Sequence, residues 1–338
     1  MDEMNPTPFL SIVIPTYNRA AFLDHSFEAH VPLARLHNIQ IFVSDNASTD
    51  NTKEVVDKWK NEYPLISYYC NETNLGPDDN FERALKYPDT EYVWLLGDTY
   101  RIPDGGIEYI LDIVKGKKKY SAIVFNLGGF IKIDAIGSKD YTDQNALLGD
   151  LGALMTCLSC LVYCRKLIEN ANFSRYRHSY FIQAGIIFEA IASRPFAVHW
   201  VQSLSINSLT HPSLIKSNWS YTNDVLDIAC KRWSNFIFSL PVSYDPEIKL
   251  NCIMAFGKIS RLFLFKGLLN LRRLNLLNLR AYKQYSRFFS LTVDYPKTIV
   301  FAVSMMPRSI IKSLGIIVVL FSKEQRLAKI RRIVRNVA

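Results

Sequence analysis

Residues 9–127 alternate short apolar runs with helix-like stretches, and no other feature of the chain restricts its fold as tightly. Phe9–Pro15 is rich in β-branched residues and ends in Thr16-Tyr17-Asn18, so it reads as a strand that delivers a loop. A helix is expected around Arg19–Ala29. Ile39–Ser44 is a second strand, ending at Asp45. Ser48, Thr49 and Asp50 then offer capping oxygens to a helix reaching about Glu62. Ile66–Cys70 is a third strand, and Pro77 opens a helix through about Leu85. Tyr92–Leu96 is a fourth strand, ending at Gly97-Asp98. Pro103 is expected to open a helix to Val114, before a fifth strand at Ala122–Phe125.

Such alternation predicts an α/β fold whose mostly parallel sheet is covered by helices on both faces. Ligands of these sheets bind beyond the carboxyl ends of the strands. The polar clusters Thr16-Tyr17-Asn18-Arg19, Asp45-Asn46 and Asp98 fall at those ends. Residues 128–205 are less regular, with strands expected at Leu158–Tyr163 and Phe196–Val201 and a helix at Phe181–Ala192. From Tyr221 the pattern is helical through about Phe289. The expected division is a nucleotide-sugar-binding domain over 1–220, a helical extension over 221–295 and a membrane-associated basic segment over 296–338.

Four blocks carry a resemblance. Ser11–Arg19, Ile41–Asp50, Asn74-Leu75-Gly76 with Asn80 and Ala84, and Tyr92–Asp98 resemble successive segments of family 2 glycosyltransferases, in family order and at similar spacing. They cover about a third of the chain, and the string is similar to the abequosyltransferase-like branch of bacterial surface-polysaccharide enzymes. The resemblance implies a GT-A fold and an inverting transfer from a nucleotide sugar to a lipid-linked oligosaccharide. It also implies a base-binding role for Asp45, with Thr16 and Tyr17 lining the same pocket and Arg19 or Asn80 facing it. Plain loop capping is the competing reading of Asp45, and for Ser48 and Asp50 capping is preferred.

In the family the first Asp of an Asp-x-Asp motif meets ribose and metal-bound water, and the last coordinates Mg²⁺ or Mn²⁺. Here the motif reads Asp98-Thr99-Tyr100, and a neutral phenol is a poor ligand for a hard cation. Either Asp98 holds the ion together with the diphosphate and water, or metal binding is weak, or the protein is a non-catalytic member of an assembly complex. An inverting transfer also needs a base. Gln183 falls near the family's carboxylate but cannot accept a proton. His178 can, although it equally reads as a surface histidine beside Arg175 and Arg177. Glu189 lies further along the helix. A sugar nucleotidyltransferase is disfavoured, since no Gly-rich phosphate loop with a neighbouring Lys stands near the N-terminus.

Charge is unevenly placed. From Phe256 to Ala338 there are 17 Lys and Arg against Asp294 and Glu324, while the preceding 255 residues carry 23 basic and 29 acidic side chains. The uncharged runs Thr298–Pro307 and Ser313–Ser322 accompany that charge, and each is too short to span a bilayer. Leu327, Ile330, Ile333, Val334 and Val337 recur at helical spacing among basic residues, the pattern of a helix lying on anionic lipid rather than on nucleic acid. Solvated packing of these helices on the domain is the bland alternative. The six cysteines form no disulfide scaffold, and Cys157, Cys160 and Cys164 read as buried thiols rather than metal ligands. With no signal-peptide pattern at Met1–Pro6, the expected location is the cytoplasmic face of the cell membrane.

Overall fold

The computed structural model describes residues 9–116, 118–129, 135–192, 194–211, 213–214 and 219–311. The first four apolar runs form β1 (Leu10–Thr16), β2 (Gln40–Asp45), β3 (Ile66–Cys70) and β4 (Tyr92–Leu95). These strands are parallel in the spatial order β3-β2-β1-β4, and Thr16 stands opposite Asp45 at the shared carboxyl end. Every residue of β1 is buried, as a strand covered on both faces must be. Its covering helices are α1 (Ala20–Leu36), α2 (Thr52–Glu62) and α3 (Pro77–Lys86).

The second half of the sheet contains β5 (Tyr100–Arg101), β6 (Ala122–Leu127), β7 (Lys139–Tyr141), β8 (Leu161–Cys164) and β9 (Val198–Ser208). Strand β8 runs antiparallel to both β4 and β6, whereas β6 and β9 are parallel. Strands β5 and β7 add antiparallel to β9. The sheet is therefore mixed, with its parallel block at the end that carries the polar loops. Helices α4 (Gly106–Val114), α5 (Gln144–Leu151), α6 (Arg165–Glu169) and α7 (Ile182–Ile191) complete this part. Helix α1 packs beside α2, while α3 lies against α6 and α7.

Several boundaries differ from the sequence reading. Helix α1 continues past Ala29 to Leu36 with Pro32 inside it, because Phe27, Val31 and Ala34 extend its buried stripe. Helix α4 starts at Gly106 rather than Pro103, since Gly105 takes a left-handed φ of 76° that a continuous helix does not allow. Leu158–Cys160 is a tight 3-10 turn, and only Leu161–Cys164 is strand. Strands β5 and β7, of two and three residues, are too short to give a periodic signal.

From residue 221 to 311 the described chain is mostly helical, as expected. A wide π turn at Asp227–Arg232 leads into α8 (Trp233–Ser239), α9 (Pro246–Ile259), α10 (Phe265–Arg273), α11 (Leu279–Thr292) and α12 (Lys297–Met305). Asp245 caps α9 by accepting from the Glu247 and Ile248 amides, and α9 packs on α5. Phe181, just before α7, meets Trp233 at 5.0 Å, and Trp233 meets Phe256 of α9 at 4.8 Å, which ties the helical part to the α/β part. Among the described residues no helix is long and apolar enough to cross a membrane. The expected amphipathic helix at Leu327–Val337 and the run Ser313–Ser322 lie outside the described residues.

One buried side chain fixes the approach to the site. His30 of α1 is fully buried; its Nδ1 donates to the Ser26 carbonyl at 2.7 Å, and its Nε2 accepts from the Ile102 amide at 3.1 Å. Accepting that amide requires a neutral ring. Burial pushes the His30 pKa down to about 4, with the nearby Arg101 acting in the same direction. The segment after Asp98 is thereby moored to α1.

Candidate functional site

The loops beyond β1, β2 and β4 converge on one cleft of about 620 Å³. Thr16, Tyr17 and Arg19 line it from β1, Asn46 from β2, Asn74, Gly76 and Asn80 from the approach to α3 and its first turn, and Asp98 from β4. Thr156, Cys157 and Trp219 close the opposite side.

Asp98 is buried where two of these loops meet. The Thr16 hydroxyl donates to Oδ2 and the Arg19 guanidinium to Oδ1, each at 3.2 Å. The turn that presents Asp98 is itself anchored, because the Gly97 amide donates to Ser159 Oγ at 3.0 Å. Ser159 in turn accepts the Trp94 indole N–H on its carbonyl at 2.8 Å. A Cβ on residue 97 would lie 3.3 Å from both the Ser159 hydroxyl and the Tyr100 ring, so the close approach favours glycine.

The β1 and β2 loops are stitched together in the same way. Asn18, with a left-handed φ of 51°, donates its amide to Ser48 Oγ at 2.8 Å. Its own Oδ1 accepts from the Thr49 amide at 2.7 Å. Asp50 receives the Ala20 amide at 3.0 Å, across from the start of α1, and the Thr52 amide at 3.2 Å. Ser48 and Asp50 thus serve the backbone, but the cap position of α2 is Asn51, without a side-chain capping bond, and Ser48 serves the β1 loop instead.

Asp45 is buried, with Oδ1 accepting from the Ser48 amide at 2.9 Å and Oδ2 from the Tyr68 hydroxyl at 2.7 Å. Its side chain supports the loop and stays out of the cleft lining, where the neighbouring Asn46 takes its place. Asn46 bridges to Asn74 at 2.8 Å and accepts from Asn71 at 3.1 Å. Asn80 accepts from the Ser44 hydroxyl at 2.8 Å and returns a bond to the Ser44 carbonyl at 3.1 Å, fastening α3 to β2. Of this wall of amides Asn46, Asn74 and Asn80 stood in segments the sequence singled out, whereas Asn71 did not. Tyr68, Ser159 and Trp219 were likewise missed, because each acts through a partner remote in the chain.

The three candidate bases are not brought together. His178 is exposed and outside the cleft; its φ is 63°, and its carbonyl accepts from Arg232 at 2.6 Å. Glu189, on α7, pairs with Arg175 at 3.4 Å. Gln183 alone adjoins the cleft: it is buried and donates Nε2 to the carbonyl of the lining residue Thr156 at 2.9 Å. A carboxyl the sequence reading missed, Asp78, accepts the Tyr180 amide at 3.1 Å, and burial pushes its pKa up to about 6. It braces the turn carrying His178 and Tyr180, both left-handed, rather than facing the cleft.

The residues around Asp98 do not fit the divalent ion that the resemblance implies. Among the described residues no three His, Cys, Asp or Glu side chains converge as a metal site. Both Asp98 oxygens already face protein donors, one of them cationic. Tyr100, at the position of the second carboxylate, hydrogen-bonds with the Cys157 thiol; that neighbour and burial push its phenol well above the usual range, so it stays neutral. A neutral phenol turned to a thiol offers a hard cation little. Cys157, Cys160 and Cys164 form no disulfide; two of them are partly exposed and Cys160 is fully buried.

Known proteins resemble this architecture. Abequosyltransferase RfbV of Salmonella typhimurium is 41% identical over 91 residues, which is 26% of this chain and 27% of that protein. The GalNAc(5)-diNAcBac-PP-undecaprenol beta-1,3-glucosyltransferase of Campylobacter jejuni is 25% identical over 175 residues, 49% of this chain and 55% of that one. The chain thus spans between about a quarter and about half of the length of these relatives. In three dimensions it matches S. aureus TarS 1–349, solved in complex with UDP-GlcNAc, with a TM-score of 0.57 at 15% identity over 91% of each chain. The sheet and its helical C-terminal region therefore have the GT-A arrangement. The sequence profile of Glycosyl transferase family 2 matches residues 11–171, the stretch from β1 through β8 that builds most of the cleft. Over those residues, just under half of the chain, it is thus similar to glycosyl transferase family 2.

Proposed function

We infer that the chain transfers a sugar from a nucleotide-sugar donor, bound across the cleft, to a lipid-linked glycan in bacterial surface-polysaccharide biosynthesis. One observation carries this reading: the loops after β1 and β4 meet at Asp98, where Thr16 and Arg19 hold the carboxylate beside a cleft large enough for a nucleotide sugar. Asp98 then serves the ribose, Tyr17 and Asn46 the base side, and Asp45 keeps the β2 loop in shape. The names of the two relatives, one an abequosyltransferase and the other acting on a polyprenyl diphosphate glycan, support the acceptor class.

A second chamber of about 250 Å³ adjoins the cleft and shares Tyr100, Thr156, Cys157 and Trp219 with it. The rest of its lining mixes Leu127, Leu154, Phe256 and Leu262 with Ser220 and Ser260, which suits the acceptor end. Inversion at the anomeric carbon remains part of this reading, with deprotonation of the acceptor assigned to none of His178, Gln183 or Glu189. The absence of a carboxylate other than Asp98 among the described lining residues favours a second reading, a donor-binding member without turnover.

A panel of UDP-, GDP-, CDP- and dTDP-sugars, followed by thermal shift, tests the donor reading. One base class should raise the melting temperature by several degrees at millimolar donor. A flat response across the panel would remove it. Hydrolysis of the stabilising donor then separates enzyme from binding protein.

The acceptor class places the protein at a lipid surface. Helix α12 supports this, exposing Phe301 and Met305 one turn apart. Arg272 donates to the Met306 carbonyl at 2.8 Å and Arg308 to the Arg273 carbonyl at 3.1 Å, so two guanidinium groups stand near the end of the apolar stripe. The chain should sediment with vesicles containing anionic lipid and stay in solution with neutral ones. Equal partition between the two would refute the contact.

A further inference from the structure

We propose that Arg19, in place of a divalent cation, supplies the positive charge that holds the donor's diphosphate. The inference rests on the nucleotide-sugar reading above and narrows it to a cation-free site. Three observations support it.

Arg19 is the only cationic side chain among the described residues lining the cleft. It stands 3.2 Å from Asp98, and both side chains line the cleft, that of Arg19 the more exposed at 31% against 7%. A planar guanidinium can serve a carboxylate along one edge and a phosphate along another, which a point charge cannot do with the same geometry.

Asp98 is already committed. With Oδ1 toward Arg19 and Oδ2 toward Thr16, a metal ion on Asp98 would sit beside the guanidinium, cation against cation. At the position of the second carboxylate that the resemblance implies, this chain has Tyr100, whose phenol hydrogen-bonds with Cys157.

Arg19 faces the diphosphate in both the bound donor and the departing nucleoside diphosphate. No proton has to move at Arg19, whose guanidinium is charged throughout.

The test is calorimetric titration of the full chain with UDP, CDP, GDP and ADP separately, in EDTA and again in Mn²⁺. At least one nucleotide should bind, with affinities in the two buffers agreeing within about threefold. Arg19→Gln should weaken that nucleotide by about 10- to 100-fold in both buffers, and Arg19→Lys by less. Tyr100→Asp, which restores a second carboxylate, should make binding respond to Mn²⁺. Binding by the unaltered chain that tightens tenfold or more in Mn²⁺ overturns the inference while leaving the donor reading in place. So does Arg19→Gln binding as tightly as the original. Failure of all four nucleotides in both buffers overturns the donor reading and the inference together. The EDTA comparison uses the unaltered chain, so the result does not depend on any variant folding.

Discussion

Asp98→Ala is expected to lower sugar transfer or donor hydrolysis by at least about 100-fold, measured with the donor that most stabilises the unaltered chain. The residue is buried at the junction of the β1 and β4 loops and receives bonds from Thr16 and Arg19. Removing it deletes a polar contact to the donor and releases the guanidinium from its fixed position, so ground-state affinity and turnover fall together. Asp98→Asn, which keeps the shape and one acceptor but loses the charge, should retain part of the donor affinity, because Thr16 still has an oxygen to bond. A melting temperature close to that of the unaltered chain would show that the loss is local. Turnover within threefold of the original in Asp98→Ala would contradict the assignment of this carboxylate to the donor site.

The second large effect concerns acidity. His30 must stay neutral to accept the Ile102 amide, and its pKa lies at about 4 in the folded chain against the usual 6.5. The folded value is the lower one, so the unfolded chain binds a proton first as the pH falls. Stability from this residue is complete above about 6.5 and is lost progressively down to about 4, amounting to roughly 3 kcal/mol. Urea unfolding at pH 7 and pH 4.5 should show this loss, and His30→Gln should reduce the difference between the two. A pH profile unchanged by that substitution would mean that other groups govern acid unfolding.

The parallel half of the fold was legible because strand and helix periods are local properties. Leu10–Thr16 through Tyr92–Leu95 came out within a residue or two, and their polar ends pointed to the cleft before any coordinates did. What escaped was set by contacts between distant residues. Helix α1 runs through Pro32 because its buried face continues beyond it, and β5 and β7 exist only as partners of β9. The site shows the same division. Thr16, Arg19 and Asp98 were identifiable by position, whereas the engagement of Asp45 by Tyr68 and of Gln183 by Thr156 depends on which side chains the fold brings opposite. A sequence gives the residue type of Gln183 and shows that it cannot take a proton, but not where else in the cleft one would go.

The bonds between the β1 and β2 loops bear on how such proteins can be recombined. Asn18 meets Ser48 and Thr49, and Asp50 reaches back to the amide of Ala20, so neither loop keeps its shape by itself. Exchanging residues 16–20 alone with those of a homologue would leave main-chain amides facing the wrong side chains. Chimeras meant to transplant specificity therefore have to carry both stretches as a single cassette, with the strands between them left in register.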